Sequence, residues 1–263
     1  MEPNAGSEST PAPEAPRPKS FFNRLAGVYT SPREAFREIA RSPAVWVPLI
    51  VLLVISLGVA FYLTRTLDME AVVAAQLEAA VQQGSITQEQ MEQQIAMASK
   101  FAGIQLLLMS VIGTLVVIFA IAGYTKLFSI FAGAENRFKP LLSVTVWSLL
   151  AVSIVQSALM VLVLQIKGAE NVSLTNINSV IASNLGAVLT SLLGEDALPK
   201  MVISLAGMVD VFAIWTIALL AIGYSVASKR LKTGTAAAWL AGGYVVVMGI
   251  SIIASALFTR AGA

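Results

Sequence analysis

Neither cysteine nor histidine occurs anywhere in the 263 residues. Their absence removes disulfides, thiolate nucleophiles, imidazole acid–base catalysis and the commonest zinc ligands. Charge is scarce as well, at 12% of residues against 57% hydrophobic, and a net +2 is too balanced to hold a nucleic acid. There is no P-loop, no G-x-S-x-G, no dinucleotide fingerprint and no paired-carboxylate site. These gaps exclude most enzyme classes, so no catalytic residue, cofactor site or metal site is expected.

What the chain has in abundance is long apolar runs. Five segments, at about 44–63, 102–124, 141–166, 201–227 and 235–258, can each cross a ~30 Å hydrocarbon core at ~1.5 Å per residue. Lipid cannot satisfy an open backbone, so each must be helical. The expected fold is all-α: a polytopic membrane protein, a bundle of five transmembrane helices over residues 21–258. A Pro-, Ser- and Glu-rich stretch, 1–20, reads as a disordered tail in front of it, and 259–263 as a short tail behind.

Orientation follows from Lys and Arg in the connections. The segment before the first span, the second connection and the fourth together hold twelve of the 17 basic residues, which places the N-terminus in the cytoplasm and the C-terminus outside. A sixth span at 174–193 would reverse Lys229, Arg230 and Lys232, and Asn176, Asn178 and Asn184 load its first half with polar groups. That stretch reads instead as an amphipathic helix at the outer surface, ended by Gly194. In the first outer connection, 69–83 reads as a helix closed by Gly84, and Thr87 with Gln90 forms a capping box for a second helix running into span two.

Before the first span, FFNRLAGVYTSPREAFREIARSP at 21–43 reads as two amphipathic cytoplasmic helices. Ser31, Pro32 and Glu34 supply an N-cap, a proline at the first helical position and a capping-box acid. In the second helix Ala35, Phe36 and Ile39 face one way, while Arg33, Arg37 and Arg41 form a basic face on the other. Such a helix suits a membrane-surface anchor or a docking site for a cytosolic protein partner. The periodicity leaves both open.

One carboxylate, Asp210, sits inside the fourth span. At ~13 Å from Met201 along a continuous helix it falls in the outer third, among the small neighbours Ala206, Gly207 and Ala213, so it should point into the bundle. Gln156 and Ser157 of span three share its depth, as do Gln105, Ser110, Ser251 and Ser255. Two readings stand: polar packing that sets helix register, or a polar cavity for an ion, proton or polar lipid. No broken span and no internal repeat is legible, which weighs against transport. Gly242, Gly243 and Gly249 suggest close packing of the last span, and Trp46, Trp147 and Trp239 suggest interface anchors.

Three stretches together, FFNRLAGVYTSPREAFREIARSPAVWVPLIVLL, FAGAENRFKPLLSVTVW and MVDVFAIWTIALLAIGYSVAS, resemble the Yip domain family of membrane proteins, named for proteins that interact with Ypt/Rab GTPases. The first and third look most like its bacterial branch, with Asp210, Phe212, Trp215, Leu219 and Gly223 on a D-x-F-x-x-W-x-x-x-L-x-x-x-G pattern. The resemblance implies five spans with a cytoplasmic N-terminus, in a bacterial plasma membrane rather than a eukaryotic endomembrane. The Asp-Leu-Tyr-Gly-Pro-type motif of the eukaryotic trafficking branch is missing before the first span. A membrane scaffold or adaptor is expected, with the lipid bilayer, a cytosolic protein at 21–43 and a homo-oligomer as the partners left open. A small transporter or channel built on Asp210 is the alternative.

Overall fold

The computed structural model describes residues 20–82, 86–134, 137–168, 184–194, 198–207, 209–228 and 230–261. All but the last residue of the expected tail 1–20, Gly84 and the first ten residues of the stretch 174–193 lie outside them. The described residues form ten helices: α1 (Phe21–Thr30), α2 (Pro32–Arg41), α3 (Trp46–Thr66), α4 (Met69–Gln82), α5 (Gln88–Phe131), α6 (Phe138–Lys167), α7 (Leu185–Leu193), α8 (Lys200–Gly207), α9 (Val211–Ala227) and α10 (Thr233–Ala261). There is no strand among the described residues, and a single β-type pairing joins Asn184 to Asp210.

Among the described residues, four stretches are long and apolar enough to cross a membrane: Trp46–Thr66, Gln88–Phe131, Phe138–Ile166 and Thr233–Ser251. The 17-residue α9 is apolar throughout but spans only ~26 Å. This is an all-α polytopic membrane protein. On α3 the exposed residues Trp46, Ile50, Val54, Leu57 and Phe61 form one stripe at helical spacing, and Leu49, Leu52, Ala60 and Leu63 face inward. A stripe that no protein covers, on a helix apolar all round, is where lipid belongs.

α5 is a single 44-residue helix, ~66 Å long, so the helix predicted after Thr87 and the second span are one rod. Its start carries the predicted capping box: the Thr87 side chain accepts from Gln90 N at 3.2 Å, and the Gln90 side chain accepts from Thr87 N at 2.8 Å. It ends at Gly133, whose φ of +63° is a left-handed turn that glycine adopts without strain. Arg230 donates to Gly133 O at 2.9 Å and so ties this turn to the α9–α10 connection. Both connections lie at the end of the bundle that also holds Lys139 and Lys232, called the basic end here.

α6 is the central helix. In its half nearer the basic end, Leu141, Val144, Trp147, Leu150 and Ala151 are fully buried, enclosed by α2, α3, α5 and α9. Trp147 is therefore a core residue at 1% exposure and no interface anchor; its indole N–H donates to Ala44 O at 3.1 Å. Trp46, at 75%, is the exposed one. In α10 the close approach is at Gly243, where an added Cβ would come within 2.7 Å of the Tyr124 ring. Gly242 and Gly249 face open space and do not support the packing expected of them.

Candidate functional site

α1 and α2 form a tight hairpin. A Cβ on Gly27 would lie 3.1 Å from that of Ala35, so glycine lets the two helices touch. Ser20 caps α1, its side chain accepting from Asn23 N. Ser31 stands at the N-cap of α2 as predicted, but its side chain makes no capping bond, and its own N–H donates to Gly27 O at 2.8 Å to close α1. Arg24, on the inward side of α1, is buried and pairs with Glu38 at 3.1 Å while donating to Ser42 O at 3.0 Å. A buried guanidinium with both partners in place fixes the hairpin's register, since losing either would strand a charge.

This hairpin does not rest its apolar face on lipid. Val28, Phe36 and Ile39 are buried in the same core as Trp147 and Tyr224, with α2 packed against α6 and α9. Gly223 makes room for it: a Cβ there would collide with Val144 and sit 3.2 Å from the Phe36 ring. Beside it the Tyr224 and Thr145 hydroxyls lie 2.7 Å apart, and Thr145 also donates to Leu141 O at 2.8 Å, so these buried polar groups are satisfied within the core. Tyr29 lies tilted against Trp215, with ring centroids 6.0 Å apart, and donates to Ala151 O at 2.7 Å. Burial raises the Tyr29 phenol above its ordinary value, which keeps it a donor. The apolar face of 21–43, which the periodicity suited equally to lipid and to protein, is covered by protein.

Arg33, Arg37 and Arg41 are exposed opposite Ala35, Phe36 and Ile39, and among the described residues none of the three makes an ion pair. The residues of the D-x-F-x-x-W pattern prove to be the face α9 turns to its neighbours. Phe212 and Leu219 are buried, Trp215 meets Tyr29, and Gly223 admits Phe36.

Asp210 is not inside a continuous helix. α8 ends at Gly207 and α9 begins at Val211, with Asp210 in extended backbone, φ −113° and ψ 133°, capping α9 through an acceptor bond from Ala213 N at 2.9 Å. Asn184 caps α7 in the same way, accepting from Ala187 N at 2.8 Å, and Leu185 N donates to Val209 O at 2.9 Å across the bridge. Two helix N-termini therefore lie side by side, and a carboxylate there meets the positive ends of both dipoles. α7 and α8 pack as a short hairpin beyond that break, Gly186 against the backbone of Ile203 and Gly207.

No hydrogen bond of the described residues joins Gln156 or Ser157 to Asp210, although both are half-buried. Tyr244 of α10 lies within electrostatic reach of the carboxylate. The side chain of Ser255 lies outside the described residues. Sequence reasoning missed Asn184 as a partner of Asp210, although an Asn ahead of the apolar run Leu185–Leu193 was a usable capping signal. It also missed Arg24, a lone cation on the apolar side of α1 whose counterpart, Glu38, is fourteen residues on.

A chain with four helices long enough to span, a fifth apolar helix and a buried hairpin ahead of them defines an integral membrane protein of the polytopic α-helical class. The model of the Yip1 domain matches residues 26–255, and the chain belongs to that family. Neither the curated proteins nor the solved structures contain a match to it.

Proposed function

We propose that this protein is a non-enzymatic membrane scaffold or adaptor of the bacterial-type Yip branch. In this reading it crosses the membrane five times, with the basic end in the cytoplasm and the C-terminus outside. The observation that carries the reading is the burial of Val28, Phe36 and Ile39 in the bundle core. A helix held only by lipid can roll or lift away, whereas one pinned by protein presents its outer side at a fixed angle. On α1 that outer side carries Phe22, Asn23, Ala26 and Thr30, all exposed, with Phe22 at 76%. An exposed aromatic on a rigid helix beside the cytosol is the kind of anchor a protein partner uses.

Deleting 1–43 would remove core residues, so the test uses surface changes. Affinity capture from native membranes is compared between the wild type and a Phe22→Asp, Ala26→Glu variant. Loss of a reproducible cytosolic partner, with the thermal midpoint unchanged, supports the adaptor. Identical capture from both proteins counts against it.

A second reading has its own observation, the interruption between α8 and α9. Broken helices whose N-termini converge on a polar group inside the membrane occur in transporters. Asn caps a helix about as well as Asp, so Asp210→Asn keeps the cap and removes the charge. Flux of protons or cations in proteoliposomes that is lost in Asp210→Asn, at unchanged stability, would favour transport. Absence of flux in the wild type removes it.

A further inference from the structure

The last turns of α5 carry an apolar ridge that stands clear of the bilayer. The register of α5 on α3 is fixed twice: Ser56 Oγ lies 3.0 Å from both Ser110 O and Thr114 Oγ1, and a Cβ on Gly103 would lie 3.5 Å from the Thr64 methyl. The two helices are therefore antiparallel, and Trp46 stands level with about residue 122 of α5. Arg41 and Asp68 bracket α3, so its 21 residues, ~30 Å, mark the hydrocarbon. Leu127, Ile130 and Phe131 follow at ~8, ~12 and ~14 Å past the level of Trp46 on the basic side. A headgroup layer is about 5–8 Å deep, so the ridge emerges beyond it. On α6, Ser143 and Trp147 both donate to Ala44 O, which sets the exposed Phe138 ~10 Å past Ala44 in the same direction.

Leu127, Ile130 and Phe131 are 57%, 58% and 82% exposed, while Phe128 between them turns to Trp239, with ring centroids 4.3 Å apart. Within the hydrocarbon, lipid covers such side chains; a contiguous apolar face in water marks a contact with another protein. The surroundings say of what charge. Over 126–139 and 229–232 the sequence holds six basic residues against one acid, Glu135. Arg137, Lys139, Arg230 and Lys232 are exposed, and Arg230 is held two residues beyond Phe131 by its bond to Gly133 O. Apolar side chains at i, i+3 and i+4 of a fixed helix form a ridge that seats in the groove of a second helix, and a basic rim selects acidic flanks. From this placement we infer that Leu127, Ile130 and Phe131 dock an amphipathic helix with acidic flanks, carried by a soluble protein on the basic side of the membrane. The ridge lies on a different helix from the α1 face assigned above to a protein partner.

The full-length protein in phosphatidylcholine nanodiscs is titrated with three fluorescent helical peptides, one of leucine and glutamate, one of leucine and lysine and one of glutamate and glutamine, with empty nanodiscs as the blank. Binding is read by fluorescence anisotropy. The wild type is expected to bind the leucine–glutamate peptide about tenfold more tightly than either of the others, and more weakly at high salt. Leu127→Ser with Phe131→Ser should lose that preference at an unchanged thermal midpoint, and Phe22→Ser should keep it. A bimane label on Phe131→Cys then reports the cover: quenching by aqueous iodide is expected, and quenching by spin-labelled lipid instead would give the ridge to the bilayer. Three further results overturn the inference: no peptide preference in the wild type, an equal loss in Phe22→Ser, or a dimer in analytical ultracentrifugation that Leu127→Ser with Phe131→Ser dissociates, which would give the ridge to a second copy of the chain. None of them touches the capture experiment on Phe22→Asp, Ala26→Glu, so the two readings fail separately.

Discussion

Gly223 is where α9 packs against α2 and α6 with no room for a side chain. Helix propensity alone favours alanine over glycine by about 1 kcal/mol. At this position the sign should invert, with Gly223→Ala costing about 1–3 kcal/mol as Val144 and Phe36 are forced apart. Gly242→Ala, with open space around it, should be neutral or stabilising. Thermal midpoints of the two variants in the same detergent check the pair, and equal effects would refute the close approach. Asp210 teaches the complementary lesson. Its presence in an apolar run was plain from the sequence, but its job as a cap depends on Gly207 ending α8, which no apolar run of this kind announces. Gln156 and Ser157 shared its depth on paper, and yet no hydrogen bond of the described residues joins either to it.

At the scale of elements, the amphipathic periodicity of α1 and α2 was legible, including which residues turn inward and which carry charge. What covers the inward face was not, because a stripe of Val, Phe and Ile suits lipid tails and protein core equally well. The difference is measurable. Phe36→Ala on a surface-lying helix would change little, whereas in a packed core it should cost about 3–5 kcal/mol. Limited proteolysis across 20–44 and the thermal midpoint both read that loss, and a midpoint unmoved by Phe36→Ala would return α2 to the membrane surface. The first connection behaves the opposite way. Its capping box was predicted from Thr87 and Gln90 and is formed, because the partners sit three residues apart and need nothing from the rest of the chain.

For the whole molecule, orientation is the property that charge alone addresses, and the chain's lack of cysteine makes it simple to test. With the basic end in the cytoplasm, an impermeant maleimide should label Glu89→Cys in intact cells and Arg137→Cys only after lysis. The reverse pattern would invert the topology and with it the proposed cytosolic partner. Composition and periodicity by themselves determined that this chain lives in a bilayer as helices, where its basic residues gather, and how its local caps form, since each of these depends on transfer energy or on neighbours a few residues away. Only the tertiary structure decided which stripe of each all-apolar helix meets lipid, that α1 and α2 are wedged into the bundle, and that the fourth apolar segment is two helices meeting at Asp210. Those choices rest on contacts such as Phe36 with Gly223, Tyr29 with Ala151 and Asn184 with Asp210, between residues 26 to 187 positions apart, which no local pattern records.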